Sequence, residues 1–288
     1  MKIAEILELV EREKQKTQLD ILLGQQSDIL NTLLDEGSLF LDKGCYFLNR
    51  DAFTQSMLTF CLQKNVQKYE TCTSTNEIAS QLLSTGWQGI VVTESQTLGR
   101  GRMGRHWDSE AGKNLLFSIA IELPLPISAV SKIPLLWSAQ IADVLDLYVK
   151  WPNDIVDEKD RKIGGILSSV HSFGVTSTKM VVGIGLNINQ EVFSEELPNA
   201  SSLKLSKEED SFSRMQILCS IIPRLENSWR DDFSLWKARN RTLGRRVKIG
   251  KQSGVATGLR EDGALFLDGQ PILTGDVEFV SGITRKDF

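Results

Sequence analysis

The stretch Gly99-Arg100-Gly101-Arg102-Met103-Gly104-Arg105-His106-Trp107 carries three glycines, three arginines and one histidine, and it contains no acidic residue. Apolar runs at residues 89–94 and 114–121 flank it, and both have the composition of buried strands. Because glycine loses the most chain entropy on ordering, a loop this rich in glycine has no single preferred shape. Its arginines offer planar forks that match carboxylate and phosphate groups. The stretch predicts a mobile anion-binding loop; an RGG-like segment for nonspecific nucleic-acid binding and a solvated basic turn are the alternatives.

The composition of the chain is that of a globular protein. It has 288 residues, of which 41% are hydrophobic and 24% charged, and its formal net charge is −4. This charge gives the whole molecule no affinity for polyanions. No apolar run approaches the roughly 20 residues that span a membrane. The first residues bring acidic side chains at once and form no signal core, so we expect a cytoplasmic protein.

The four cysteines, Cys45, Cys61, Cys72 and Cys219, form no C-x-x-C pair. With only two histidines in the chain, the common Cys/His arrangements for zinc cannot be assembled. We therefore expect four reduced, structural thiols and no metal site built by the protein.

Residues 1–62 have the pattern of a winged helix-turn-helix. Apolar residues recur at helical spacing over residues 3–10, a second short apolar piece follows at 19–23, and a third helix is predicted from Ser27 to a stop at Gly37. Residues 38–48 then alternate around a turn at 42–44, as in a small hairpin. Three helices followed by a hairpin is the order found in winged helix-turn-helix domains.

The charge of this head argues against DNA as a partner. Residues 1–50 hold six Lys/Arg and nine Asp/Glu, which gives 6 − 9 = −3. The third helix, which would enter the groove, carries Asp28, Asp35 and Glu36 and no basic residue. Because phosphate neutralisation supplies much of the affinity for DNA, this face would be repelled. An operator-binding repressor remains the alternative interpretation.

Three further runs are unusual. Ser74-Thr75-Asn76 places short donors and acceptors before an amphipathic helix, where helix capping is the commoner explanation. Lys150-Trp151-Pro152-Asn153-Asp154 puts a lysine among apolar neighbours, which is costly unless an anion awaits it. Glycines then interrupt two predicted strands, at Gly164-Gly165 and at Gly183 and Gly185, and strand glycines often mark close approach by a ligand or another backbone.

Together and in this order, these runs resemble those of the biotin–protein ligase family, also called biotin–[acetyl-CoA-carboxylase] ligase, from about residue 66 to the C-terminus. The GRGRxGRxW and KWPND runs are the specific part of the resemblance. It implies an α+β fold, with a central mixed β-sheet flanked by helices, as in class II aminoacyl-tRNA synthetases, and a small SH3-like barrel. Residues 241–288 have the short strands split by Gly/Asp turns that such a barrel needs. The expected domains are a winged-helix-like head at 1–62, a catalytic domain at 63–240 and the SH3-like domain at 241–288.

The resemblance implies a two-step reaction. The biotin carboxylate attacks the α-phosphate of ATP to give biotinyl-5′-AMP and pyrophosphate, and a lysine of a biotin carboxyl carrier domain then attacks the mixed anhydride. Mg²⁺ is expected to arrive with the ATP phosphates and to keep several waters. A homodimer is one arrangement that the resemblance allows.

The family pattern also implies roles for individual residues. Lys150 is expected to bridge the biotin carboxylate and the α-phosphate, and Arg102 to act with it in catalysis and in sealing the loop over the ligand. The expected biotin-binding residues are Ser74, Thr75, Asn76, Gln96, Arg100, Gly101, Arg102, Lys150, Gly164, Gly183 and Gly185. The expected ATP-binding residues are Arg102, Arg105, Trp107, Lys162 and Asn187. Asp154 is expected to fix the turn rather than to bind metal.

Two other functions compete with this interpretation. A lipoate or octanoate ligase of the same superfamily would share the fold and the lysine, but those relatives lack the GRGRxGRxW loop. A biotin-responsive transcriptional repressor would use the head, which the acidic third helix opposes.

Overall fold

A mixed seven-stranded β-sheet forms the centre of the molecule. The computed structural model describes residues 3–13, 27–42 and 45–280. The sheet strands are β3 (Val66–Cys72), β4 (Gly89–Gln96), β5 (Leu115–Leu123), β6 (Tyr148–Lys150), β7 (Asp154–Val156), β8 (Lys162–Phe173) and β9 (Thr178–Leu186). These strands lie side by side in the order β3-β4-β5-β9-β8-β7-β6. β3 and β4 are parallel, and all other neighbouring pairs are antiparallel. The mixed sheet expected from the sequence is therefore confirmed.

The parallel pair is joined by the helix α4 (Thr75–Ser84), as a parallel connection requires a crossover. This helix covers one face of the sheet, where Ala79 and Leu83 pack on Val91, Ala120 and Val181. The opposite face is covered by further helices. These are α5 (Ile127–Val130), α6 (Ile133–Val144), α7 (Leu203–Lys207), α8 (Arg214–Leu225) and α9 (Ser234–Arg239).

The core alternates along the strands because successive strand residues point to opposite faces. Val91 packs under α4, whereas its neighbour Val92 joins the larger cluster that includes Phe117 and Trp137. Phe117 lies on the central strand β5 and is completely buried. The sheet is therefore covered on both faces and can hold a ligand only where side chains are missing.

The head contains α1 (Ile3–Glu13), α2 (Ser27–Asp35), the hairpin β1 (Leu39–Asp42) and β2 (Cys45–Leu48), and α3 (Gln55–Leu62). The first and third predicted helices and the hairpin are confirmed. The second apolar piece at residues 19–23 and the hairpin turn at 43–44 lie outside the described residues. The winged-helix arrangement therefore stays a prediction.

The C-terminal part is a five-stranded antiparallel sheet in the order β13-β12-β11-β10-β14. Its strands are β10 (Arg246–Ile249), β11 (Gln252–Leu259), β12 (Leu265–Leu267), β13 (Gln270–Ile272) and β14 (Val277–Phe279). All five lie within residues 241–288, where the sequence predicts short strands split by Gly/Asp turns.

Cys45, Cys61, Cys72 and Cys219 all lie in the described part of the chain and are free thiols. In the same ranges, no helix is both long and apolar enough to cross a membrane.

Phe117→Ala is expected to lower the free energy of unfolding by about 3–5 kcal/mol, because it opens a cavity in a fully covered sheet. The measurement is urea denaturation of the full chain. Val175→Ala is the control, since the Val175 side chain is 92% exposed in the β8–β9 turn. Equal unfolding midpoints for the two variants would contradict this packing.

Candidate functional site

A cavity of about 190 Å³ lies where the Gly99–Trp107 loop meets strands β8 and β9. Most of the residues expected to bind ligand line it. They are Ser74, Thr75, Asn76, Gln96, Arg100, Gly101, Arg102, Arg105, Trp107, Lys162, Gly183, Gly185 and Asn187. Two expected residues, Lys150 and Gly164, are not among its lining residues.

One end of the cavity is a network of short polar side chains at the start of α4. The backbone N–H of Thr75 donates to Gln96 Oε1 at 2.8 Å. Ser118 is fully buried on β5, and its hydroxyl oxygen lies 2.7 Å from both Thr75 Oγ1 and Asn76 Oδ1, so it donates its one proton to one of these oxygens. Ser74 occupies the N-cap position of α4, yet its side chain makes no capping hydrogen bond. Capping therefore does not account for this cluster, and the amides and hydroxyls form a polar wall.

The floor of the cavity is made by strand positions that have no side chain. A Cβ at Gly183 would collide with the side-chain amide of Asn76, and one at Gly185 would lie 2.6 Å from Trp107 Cε2. Gly183 and Gly185 share one face of β9, as expected from the sequence. Because these two positions have no side chain, Asn76 and Trp107 can lie directly against the sheet.

Gly164 does not belong to this floor, contrary to the expectation from the sequence. A Cβ at Gly164 would lie 2.5 Å from Leu186 Cδ2, which is buried in the core on the other face. Its neighbour Gly165 pairs with Gly185 and lines the cavity instead. The floor residue is therefore one position further along the strand than expected, and neighbouring residues of a strand face opposite sides of the sheet.

The arginine loop folds back on itself above this floor. Arg100 and His106 form an isolated antiparallel bridge, and the N–H of Gly101 donates to the carbonyl of Arg105 at 2.7 Å. The tip is a single 3₁₀ turn, Arg102–Gly104, in which Met103 and Gly104 have left-handed φ values of 57° and 74°. Arg100, Arg102 and Arg105 therefore reach the cavity from one short hairpin-like segment.

Two of the loop's arginines bind residues of the C-terminal sheet. Arg102 donates to Thr274 Oγ1 at 3.1 Å and more weakly to Asn153 Oδ1 at 3.4 Å. Arg105 forms an ion pair with Asp276. The loop is thus attached to the β13–β14 connection, a contact between distant parts of the sequence.

Lys162 is the lysine that reaches the cavity. It follows the β7–β8 turn, and its ammonium pairs with Asp154 Oδ1 at 2.6 Å and lies 5.6 Å from the centre of the Trp107 ring. The indole N–H of Trp107 is buried and has no hydrogen-bond partner. Lys162 and Trp107 therefore form the second end of the cavity, opposite the polar wall.

Lys150 lies beside the cavity rather than among its lining residues, as the cross-strand partner of the Asp154 that pairs with Lys162. The Lys150 ammonium is 5.2 Å from the centre of the Phe279 ring in the C-terminal sheet. Burial lowers the pKa of the Lys150 side chain below its usual value, and the nearby Asp154, which opposes this shift, is already engaged by Lys162. The structure therefore places Lys162 in the cavity lining and Lys150 beside it.

The remaining part of the lining combines Asn187, which was expected to bind ATP, with residues that carry no motif in the sequence. Asn187 Nδ2 donates to the carbonyl of Ser201 at 3.0 Å, and its buried Oδ1 has no partner. Phe193, Leu197 and Ala200 from the following loop close the cavity beside it. Phe193 and Leu197 are ordinary loop residues by composition, so only the three-dimensional structure identifies them.

Comparison with known proteins identifies similar sequences and structures. Residues 68–187 match the sequence profile of the biotin/lipoate A/B protein ligase family. The bifunctional ligase/repressor BirA of Bacillus spizizenii is 26% identical over 213 residues, which cover 66% of this chain and 65% of that protein. The biotin–[acetyl-CoA-carboxylase] ligase of Mycobacterium tuberculosis is 29% identical over 62% of this chain and 73% of its own. The chain spans between 61% and 65% of the length of four BirA relatives.

The fold also has a solved counterpart. The biotin protein ligase of Aquifex aeolicus, solved in complex with biotin and ATP, superposes with a TM-score of 0.60 at 25% identity. The superposition covers 74% of this chain and 97% of that one.

Gly183→Ala is expected to destabilise the fold by about 1–3 kcal/mol, because the new methyl group overlaps the Asn76 amide and forces it off the sheet. Gly174→Ala is the matched control, since the nearest atoms to a Cβ there are 3.6 Å and 3.9 Å away. Denaturant unfolding of both variants checks the difference, and a Gly183→Ala midpoint equal to that of the control would refute the close approach of Asn76.

Proposed function

We propose that this chain is a biotin–protein ligase. It activates biotin with ATP to biotinyl-5′-AMP and transfers the biotinyl group to a lysine of a biotin carboxyl carrier domain. The observation that carries this proposal is a single cavity with two unlike ends, an amide-and-hydroxyl wall and a tryptophan–lysine end, beneath three arginines. The names of the family and of the relatives above support it.

The two ends suit the two halves of the adenylate. Asn76, Thr75 and Gln96 offer hydrogen-bonding groups for a ureido ring, while Gly183 leaves room for the fused thiophane ring. Trp107 and Asn187 offer a flat ring and an amide to a nucleotide. The arginines between them are expected to meet the carboxylate and phosphates.

The first step brings two anions together, so positioning and charge stabilisation carry most of the catalysis. Lys150, the residue first expected to bridge, is the cross-strand partner of Asp154, and Lys162 pairs with the same carboxylate at the phosphate end, so we assign the bridging role to these two neighbouring lysines. Their ammonium groups would neutralise charge on the carboxylate and α-phosphate as the new bond forms. No protein nucleophile is needed for this step.

Mg²⁺ is expected to enter with ATP and to offset the charge of its phosphates. Within the described ranges, no group of three or more His, Cys, Asp or Glu side chains could hold a metal ion. Asp154 is the carboxylate beside Lys162, and their ion pair keeps it at the phosphate end. This arrangement suits an ion held largely by the nucleotide and water.

We also propose the domain division 1–62, 63–240 and 241–288, with a winged-helix-like head and an SH3-like C-terminal barrel. DNA is not an expected partner, because α2 presents Asp28 and Asp35 and carries no basic residue. A cytoplasmic location and a homodimer remain expectations of the sequence.

A lipoate or octanoate ligase is the second candidate, since the matched family includes such enzymes by name. The experiment that separates the two incubates the chain with ATP, a biotin-accepting carrier domain, and either biotin or lipoate. A biotinyl mass shift on the carrier is expected. A shift with lipoate alone would replace the proposal by its rival.

Lys162→Gln is expected to slow biotin-dependent pyrophosphate release by on the order of 100–1,000-fold, because it removes the cation at the reacting phosphate. Lys150→Gln is expected to slow the same step by at least as much, because its ammonium lies beside the same Asp154. Wild-type pyrophosphate release by either variant would remove that lysine from the bridging role.

Arg102→Gly is expected to release biotinyl-AMP and label lysines of bystander proteins, because the loop then lacks its link to Thr274 and Asn153. Met103→Ala is the control, as that side chain is 76% exposed at the loop tip. The assay measures free biotinyl-AMP and labelled serum albumin. If Arg102→Gly matches the control in both, the residue does not seal the site.

A further inference from the structure

A second cavity, of about 250 Å³, adjoins the first. It lies between the Trp151–Asn153 turn, the N-terminal end of α6 and the β11–β12 turn of the C-terminal sheet. Four residues line both cavities: Arg102, Asn153, Ile166 and Leu167. The two spaces therefore share one wall, and Arg102 is the residue of that wall to which the proposed reaction assigns a role.

The position of that wall along the first cavity follows from the register of β8 and β9. Leu167 is opposite Gly183, where Asn76 closes the polar end, and Gly165 is opposite Gly185, where Trp107 closes the other. Leu167 thus lies at the polar end, and the Ile166 side chain is buried in the core on the other face of the sheet. Arg102 also belongs to the shared wall and is proposed to meet the carboxylate and phosphates, so the second cavity opens beside their junction.

The lining of the second cavity combines apolar and polar residues. Its apolar walls come from Pro134, Leu135, Trp151, Pro152, Ala264 and Leu273, and polar groups are added by Arg102, Ser131, Asn153 and Ser168. Asp262 is the acidic residue among them, and its carboxylate is engaged by Arg260 and by the N–H of Ala264. No uncommitted carboxylate among these lining residues would hold an ammonium ion in place.

A cavity with apolar walls and no uncommitted carboxylate suits one occupant, the side chain of a lysine that must react as a neutral amine. Its four methylene groups can pack on apolar walls. Removal from water disfavours the charged form and lowers the pKa of a lysine, so the amine arrives with its lone pair free.

We propose that the second cavity is the route by which the acceptor lysine of the carrier domain reaches the adenylate. This inference rests on the proposed ligase function and names where its protein partner reacts. The lysine Nζ lone pair attacks the carboxyl carbon, and a C–N bond forms. The C–O bond to phosphate breaks, its electron pair leaves with AMP, and the proton from Nζ is released to solvent.

Arg102 stands at the boundary of the two cavities. Asn153 and Thr274 hold its guanidinium there, and both of these lie beside the route rather than at the polar end. In this position the side chain separates the reactive anhydride from solvent until an acceptor fills the second cavity.

The test narrows the route from two opposite walls and leaves the first cavity untouched. Ser131→Trp lies on the approach to α6, and Leu273→Trp lies on the C-terminal sheet, where the Leu273 side chain is 70% exposed. Ser128→Trp is the control, because Ser128 is exposed in α5 and does not line the cavity. Each full-length variant is loaded with biotin and ATP, and the enzyme-bound adenylate is then discharged by the carrier domain or by hydroxylamine.

The expected result is that either test variant slows discharge by the carrier by on the order of 100-fold, while pyrophosphate release and discharge by hydroxylamine keep wild-type rates. Hydroxylamine is small enough to pass the narrowed opening. Carrier discharge at the control rate in both test variants would overturn the route, and so would equal slowing by both nucleophiles. Absence of pyrophosphate release by the wild-type chain would instead refute the ligase function itself.

Discussion

The site depends on the absence of two side chains. Gly183 and Gly185 leave bare backbone on one face of β9, and Asn76 and Trp107 occupy the space that Cβ atoms would take. These two contacts set the length of the cavity, because they bring the polar start of α4 and the end of the arginine loop onto the same strand. Ser118 on β5 then fixes Thr75 and Asn76 from below, so the polar wall is built on the sheet rather than on a mobile loop.

Charge is arranged around this floor by parts of the chain that are far apart in sequence. Lys162 is held by Asp154 from the preceding strand, while Arg102 and Arg105 are held by Thr274 and Asp276 of the C-terminal sheet. In the absence of an anionic ligand, each of these cations has a protein partner nearby. An incoming phosphate therefore has to exchange with a carboxylate or hydroxyl, which links ligand binding to the attachment of the loop.

Much of this could be predicted from the sequence, because the informative residues lie in short runs. The GRGRxGRxW loop, the Ser74–Asn76 cluster and the paired glycines of β9 all reached the cavity as expected. The errors came from register and from long-range contacts. Gly164 and Gly165 differ only in which face they present, and the sequence places both in the same strand. Lys150 ends strand β6 and Lys162 begins strand β8, and only the three-dimensional packing shows that Lys162 lies against Trp107 in the cavity while Lys150 lies against Phe279 beside it. Ser118 is a single hydroxyl in an apolar strand, so local pattern could not mark it. The arrangement of the head, with residues 14–26 outside the described ranges, stays a prediction.

The central claim is that one cavity holds both halves of a biotinyl-adenylate on a glycine floor. The most direct test is calorimetric titration of the chain with biotin and with a non-hydrolysable sulfamoyl analogue of biotinyl-5′-AMP. If both ends bind in one cavity, the joined analogue is expected to bind on the order of 100-fold or more tighter than biotin, because it resembles the reaction intermediate and engages both ends at once. Equal affinities for the analogue and for biotin would contradict the account.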